Sequence, residues 1–216
     1  MTELFYNPQE KSYLINQHIS RIDCFENTTQ TLTINLDEQA DLTYAIFLKS
    51  SDLDITLQTQ KEKVNANFFA FVCADEDQLS QLKVTTILKD SFSEIHVRLV
   101  AIQPNKATTS LDGSINILAD VEKVSGHLLE EVLLLGENSS VTLKPILNVS
   151  SPDVKASHAA KLHRVDKEKL FYMQSKGLSA STAKKMMINS FITSILDHFE
   201  LSPEQNDQIY SFIPQY

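Results

Sequence analysis

Four short runs decide the fold: Thr31-Leu32-Thr33-Ile34-Asn35-Leu36, Leu42-Thr43-Tyr44-Ala45-Ile46-Phe47-Leu48, Leu53-Asp54-Ile55-Thr56-Leu57 and Val64-Asn65-Ala66-Asn67-Phe68-Phe69-Ala70-Phe71-Val72. In each, apolar residues recur at every second position, which places them on one face of a strand and Thr31, Thr33 and Asn35 on the other. The runs begin roughly 10–11 residues apart. Further runs at Val84 to Leu88, Ile95 to Val100, Ser114 to Leu118, Val132 to Leu135 and Val141 to Val149 continue the pattern. Upstream, Tyr13-Leu14-Ile15 and Ile22-Asp23-Cys24-Phe25 read as two opening strands.

Regular short strands fit a β-sandwich or the stacked rungs of a β-helix. Asp112-Gly113 reads as a two-residue hairpin signal, and the chain has only 4 Gly. A meander of tight hairpins needs more residues able to take positive φ, which favours the β-helix, although no strict repeat is present.

Near Asp166 the period changes from 2 to 3.6. A first helix is predicted from an Asp166 N-cap through Leu170-Phe171-Tyr172-Met173 to Lys176, with Gly177 at C′. A second starts after Ser179 and carries Ala183, Met187, Phe191, Ile195 and Phe199 at i+4 steps, beside Ile188, Ile192 and Leu196. Its apolar arc is wider than a helix lying on one flat surface requires, so it is expected to pack on two sides. Ser202-Pro203-Glu204-Gln205 announces a third, short helix presenting Ile209, Phe212 and Ile213.

The chain has 216 residues and a net charge of -9, with no run of Lys and Arg to offset phosphate repulsion, so nucleic acid is not an expected partner. No apolar stretch approaches the roughly 18 residues of a membrane span, and Met1 to Tyr6 has no basic segment leading into an apolar one. The expectation is a cytoplasmic protein with no membrane partner. Cys24 and Cys73 match neither a CxxC hook nor a disulfide framework and read as plain thiols.

Six histidines, at 18, 96, 127, 158, 163 and 198, show no HExxH spacing, and no Gly-x-Ser-x-Gly elbow or Gly-rich phosphate loop exists. The tightest pair is His158 with His163. His158 stands in Asp153-Val154-Lys155-Ala156-Ser157-His158-Ala159-Ala160, where the β region is expected to end; a neutral imidazole there binds iron or zinc, or caps a carbonyl. Asp75-Glu76-Asp77 reads as a solvated turn. In Glu130-Glu131, between Leu128-Leu129 and Val132-Leu133, alternation turns one carboxylate inward and one outward.

Lys144-Pro145-Ile146-Leu147, then Asp153 to His158, then Leu170-Phe171-Tyr172-Met173-Gln174-Ser175-Lys176-Gly177-Leu178, then Ala183 and the apolar helix, resemble in order and spacing the C-terminal signature of the SufB/SufD family of iron–sulfur cluster assembly proteins. Leu111 to Ile115 and His127 to Leu135 resemble the rungs before it. The resemblance covers the last half of the chain. It implies a mainly β fold: a right-handed parallel β-helix core over residues 1–160, then a small C-terminal helical domain over 161–216.

It implies a SufD-like, non-enzymatic subunit whose helices dock a SufC-type ATPase and whose last strands pair with a SufB-type scaffold or a second copy. Leu170, Phe171, Tyr172, Met187, Phe191 and Ile195 are the residues expected at the ATPase dock. His158 falls on the family's conserved-box histidine, with Ala159 replacing the following Gly, no SufB-type Glu after it and no Cys nearby. The resemblance thus implies no firmly bound cofactor, only transient iron or an iron–sulfur cluster at a subunit interface. The chain is about half the usual length and is expected to lack the family's N-terminal helical segment. Two other readings of the residues stand beside this one: a purely structural self-associating β-helix, and a β-helix acting on polysaccharide.

Overall fold

A computed structural model describes residues 1–73, 78–104, 106–136, 139–165 and 167–213. Asp166 and Asp75-Glu76-Asp77 lie outside them, so the expected N-cap and the acidic turn are not described. The described residues form two parallel sheets of seven strands each and three helices. The first sheet holds, in spatial order, β1 (Glu3–Tyr6), β3 (His18–Glu26), β5 (Asp41–Lys49), β7 (Asn65–Cys73), β9 (Glu94–Gln103), β11 (Glu122–Leu134) and β14 (Asp153–Arg164). The second runs β2 (Ser12–Ile15), β4 (Thr29–Leu36), β6 (Asp52–Thr59), β8 (Leu79–Leu88), β10 (Thr108–Ile117) and then β12 (Ser140–Leu143), with β13 (Ile146–Val149) also pairing β10.

Up to β12, successive strands fall in alternate sheets, so each strand pairs with the one two positions on. Parallel strands cannot be joined by a two-residue turn, and crossing to the other sheet satisfies that constraint. The corners are turned largely without glycine: Asn27, Gln39, Ser50, Lys63, Phe92, Lys106 and Asp120 all have φ between 49° and 70°. Asn tolerates this left-handed region, whereas a bulky residue such as Phe92 does so at a local cost. Few glycines are therefore compatible with many turns here.

Alternation places every other side chain between the sheets. Leu32, Ile34 and Leu36 of β4, Tyr44, Ile46 and Leu48 of β5, and Phe68, Ala70 and Val72 of β7 are buried there, and Tyr44 meets Phe68 edge-on at 5.7 Å. At the β2 end, Asp23 is fully buried but compensated: Arg21 Nε donates to it at 2.8 Å, Tyr13 Oη at 3.4 Å, and the Tyr44 hydroxyl closely. Arg21 itself lies over the Phe5 and Tyr13 rings.

The other face of the first sheet is also apolar in its C-terminal half, because the helices cover it. Ile22, Ala45, Phe47, Phe69, Phe71, Val100, Ile102 and Leu133 pack with Ile188, Ile192, Ile195, Leu196, Phe199, Ile209 and Ile213. This two-sided burial explains why Tyr44 to Leu48 and Phe68 to Val72 are nearly continuous apolar runs. Cys24 and Cys73 sit in the same layer, both buried, and burial raises the Cys24 thiol.

Helix α1 (Lys167–Ser175) ends on Gly177 at φ 90°, with Gly177 N–H donating to Gln174 and Leu178 N–H to Met173 carbonyls, the pattern of a left-handed cap. Helix α2 (Ala180–Leu196) is capped by Ser179, whose hydroxyl accepts from Thr182 N–H. Helix α3 (Pro203–Phe212) has the full Ser202/Gln205 capping box, and Gln205 Nε2 also donates to the Thr2 carbonyl, tying the chain's two ends together.

Three expectations are corrected. Asp112-Gly113 is no hairpin: it lies inside β10, with Lys83 and Val84 as its register partners in β8. The second helix stops at Leu196, and Phe199 reaches the apolar layer from the turn beyond it. The β region does not end near His158, since β14 continues to Arg164.

Ile195 is fully buried, whereas Phe171 is 72% exposed. Ile195→Ala is expected to lower unfolding stability by about 2–5 kcal/mol, and Phe171→Ala by under about 0.5 kcal/mol. Urea titrations of the two variants check this.

Candidate functional site

β14 is an edge strand. Its twelve residues pair on one side with β11, from Glu122↔Asp153 to Leu134↔Arg164, and among the described residues no strand pairs its other side. A long open edge is a template for another strand unless something blunts it.

Val154 and Ala156 point inward and pack on the core, so by alternation His158, Ala160 and Leu162 share that face. They are nevertheless exposed, Leu162 by 52%. β12 and β13, the last strands of the second sheet, leave Val141, Leu143 and Leu147 only partly buried. The C-terminal end of the inter-sheet core is thus an open apolar rim with one imidazole, His158, on it. His158 and His163, five positions apart, fall on opposite faces. His163 lies on the helix side, 3.4 Å from Glu131 and edge-on to Phe191 at 5.5 Å.

Directly after this strand, α1 presents Phe171 and Tyr172, 72% and 63% exposed, with Lys176 Nζ over the Tyr172 ring. Leu170 is half-buried beside a hollow of about 250 Å³ shared with Leu134, Leu135, Val165 and Lys184. Met187 and Phe191 are half-buried against the helix–sheet layer, and Ile195 is wholly inside it. The six residues expected at a dock therefore separate. Phe171 and Tyr172 are available, Leu170, Met187 and Phe191 partly so. Ile195 is spent on holding α2 to the protein's own sheet, which is where one side of the wide apolar arc goes.

A family model described as "SUF system FeS cluster assembly, SufBD core domain" matches residues 28–191. The chain belongs to this SufBD core family. It is similar to the iron–sulfur cluster assembly protein SufD of Escherichia coli (31% identical over 104 residues, 48% of this chain and 24% of that protein). It also resembles SufD of Bacillus subtilis (27% over 109 residues, 50% of this chain and 25% of that protein). An iron–sulfur cluster assembly SufBD family protein of Synechocystis aligns over 92% of this chain at 22% identity, covering 48% of that relative. The chain thus spans about half the length of that relative or less. No helix among the described residues is long and apolar enough to cross a membrane.

In this SufBD chain the two adjacent carboxylates divide as alternation predicts. Glu131 faces the helices and accepts from Arg98 Nε at 2.7 Å, with Lys161 Nζ at 3.8 Å, while Arg98 also donates to Ser194 Oγ of α2. Glu130 faces the inter-sheet core and is fully buried. Its Oε1 accepts the Gly113 N–H at 2.8 Å, and Oε2 has no hydrogen-bond partner among the described residues. Gly113 is required here: a Cβ would fall 2.8 Å from that oxygen and 2.9 Å from Leu128. Sequence reading took Gly113 for a turn because nothing local reveals a carboxylate seventeen positions away.

Among the described residues no group of three or more His, Cys, Asp or Glu, around His158 or elsewhere, could hold a metal ion. Two histidines that sequence reading passed over, His96 and His127, are register partners in β9 and β11 with stacked rings at 5.0 Å. The signal that would have found them is a spacing of about thirty residues, one passage through both sheets.

Desolvation pushes the Glu130 carboxyl up to about 7, against the Gly113 N–H that favours its charged form. A carboxyl raised on folding binds its proton more tightly in the native state. Its penalty is absent below the unfolded value of about 4.3 and grows until pH reaches about 7, so stability falls across that window by roughly 3–4 kcal/mol. Glu130→Gln retains an acceptor for Gly113 and is expected to abolish most of this slope. Chemical denaturation of both proteins between about pH 4.5 and pH 7.5 measures it; an unchanged slope would refute the assignment.

Proposed function

We propose that this chain is a SufD-like, non-catalytic subunit of an iron–sulfur cluster assembly complex, docking a SufC-type ATPase through its helices and pairing with a SufB-type scaffold or a second copy. The observation that carries the reading is the exposed aromatic pair Phe171 and Tyr172 on the helix that directly follows an open edge strand, inside the segment matched by the SufBD core family. Relatives named as SufD proteins support it. On this reading the two sheets are the faces of a right-handed parallel β-helix occupying residues 1–160, and 161–216 form a helical docking domain. Its place of work is the cytoplasm.

The two surfaces have different chemistry. An aromatic pair on a helix offers the buried, low-entropy anchors that hold a protein partner. A strand edge with an apolar rim offers main-chain hydrogen bonds and a face for another strand to cover. His158 is the one ring on that rim able to contact iron as cargo. With no thiolate beside it, iron held there depends on ligands from the pairing subunit.

Titration of the chain with the cognate SufC-type ATPase tests the dock. Phe171→Ser with Tyr172→Ser is expected to weaken binding by roughly 100-fold while leaving the urea midpoint unchanged. Equal binding by the double variant would refute the dock. Leu162→Asp and Ala160→Pro are expected to abolish pairing with the SufB-type scaffold or with a second copy, as read by sedimentation, without affecting the ATPase. His158→Ala is expected to leave both assemblies intact and to impair cluster delivery in cells. Unimpaired delivery would make His158 inert and leave a structural partner only.

A further inference from the structure

The helices cover only part of the first sheet's outer face, and at their margin lies a pocket of about 460 Å³ whose apolar lining includes Phe69, Leu129 and Ala159. Five basic side chains line it: His96, Arg98, His127, Lys161 and His198; no carboxylate does. That is a marked local excess in a chain of net charge -9. The nearest carboxylates do not remove it. Glu131 is shared among Arg98, Lys161 and His163, and Glu94, 2.7 Å from His96 and also acting on His127, is shared between those two rings.

The imidazoles are fixed in place. His127 has Ser157 Oγ at 2.7 Å from Nδ1 and Ser125 Oγ at 3.1 Å from Nε2, and its ring is stacked on His96 at 22°. The His198 ring is stacked on Phe69 at 4.5 Å. Stacked rings whose nitrogens are engaged sideways do not converge on a cation, which argues against a metal. They do present flat faces and, when protonated, positive charge.

We infer that this pocket binds a phosphate monoester with a planar, apolar body, its dianion held by Arg98 and Lys161 beside the positive charge of the protonated His127 ring and its body lying against the Phe69–His198 stack. A dianion needs more than one cation, and this wall supplies three. The pocket's volume is within the range of small-ligand sites. The acidic surface elsewhere does not forbid this, because its field is screened beyond about 8–10 Å at physiological salt. Burial and the neighbouring His96 lower the His127 imidazole, so an anion that favours its protonated form takes up a proton on binding and binds more tightly as pH falls. The inference does not rest on the ATPase or scaffold reading and uses none of the surfaces assigned to the ATPase.

The probe is phenyl phosphate, titrated into the full chain at about pH 6, near the ordinary imidazole value, with histidine-ring NMR signals as readout. The ring signals of His96, His127 and His198 are expected to shift together with millimolar or tighter affinity, inorganic phosphate is expected to bind more weakly at the same signals, and phenol not at all. Lys161→Glu is expected to weaken phenyl phosphate at least tenfold. Ala159→Leu, on an exposed strand position, is expected to block it by filling the pocket while preserving the charges. The inference is overturned if no shift occurs up to about 10 mM, if phenol binds as well as phenyl phosphate, or if neither variant changes the affinity.

Discussion

The whole molecule depends on parallel, in-register pairing between strands that are two apart in the chain. From Asp41↔Asn65 to Cys73↔Ile102, and from Ser125↔Glu94 to Leu134↔Gln103, pairing in the first sheet proceeds without a slip. Because the side-chain period is two, a slip of one residue would move Tyr44, Ile46 and Leu48 from the inter-sheet core to the helix layer and bring Ala45 and Phe47 inward. The first sheet is apolar on both faces over this stretch, so face alone does not forbid the slip. Polar and small residues set the register instead. Asp23 needs Tyr44 and Arg21 on the inner side, and Glu130 needs the bare backbone of Gly113 across the core.

That distinction explains what the sequence made legible. Alternation in Leu32 to Val72 is a local property and identified β4 to β7. The capping residues Ser179, Ser202 and Gln205, with Gly177, are equally local and located the helices. Contacts one full passage apart are not local. The His96–His127 stack, the Gly113–Glu130 contact and the pairing of Glu131 with Arg98 all join residues separated by seventeen to thirty-three positions or lying on different strands. The end of β14 was obscured for another reason. With no further strand beside it among the described residues, Ser157 to Lys161 carry small or polar residues on both faces and lose the apolar alternation that marks a covered strand.

The helix layer links the fold to the partner surfaces. Ile188, Ile192, Ile195 and Leu196 are consumed in covering Phe47, Phe71 and Val100, and this burial holds α2 against the sheet. With α2 anchored, the Gly177 turn fixes the direction in which α1 leaves it, and α1 buries so little of itself that Phe171 and Tyr172 remain outside. An apolar arc read from sequence does not separate residues serving the chain's own core from those serving a partner. Only the position of the helix over the sheet makes that division.

Glu130 and Glu131 show how one backbone step creates two kinds of carboxylate. Glu131, turned toward Arg98, Lys161 and His163, is matched by charge and fastens β9, β11 and β14 beneath α2. Glu130, turned inward, accepts the Gly113 N–H, and its second oxygen has no partner among the described residues. A buried polar group in that state costs roughly 1–3 kcal/mol, which a core of this size tolerates once but not at every rung. Its location is specific: Glu130 is the register partner of Ala160, on the last strand before the open rim.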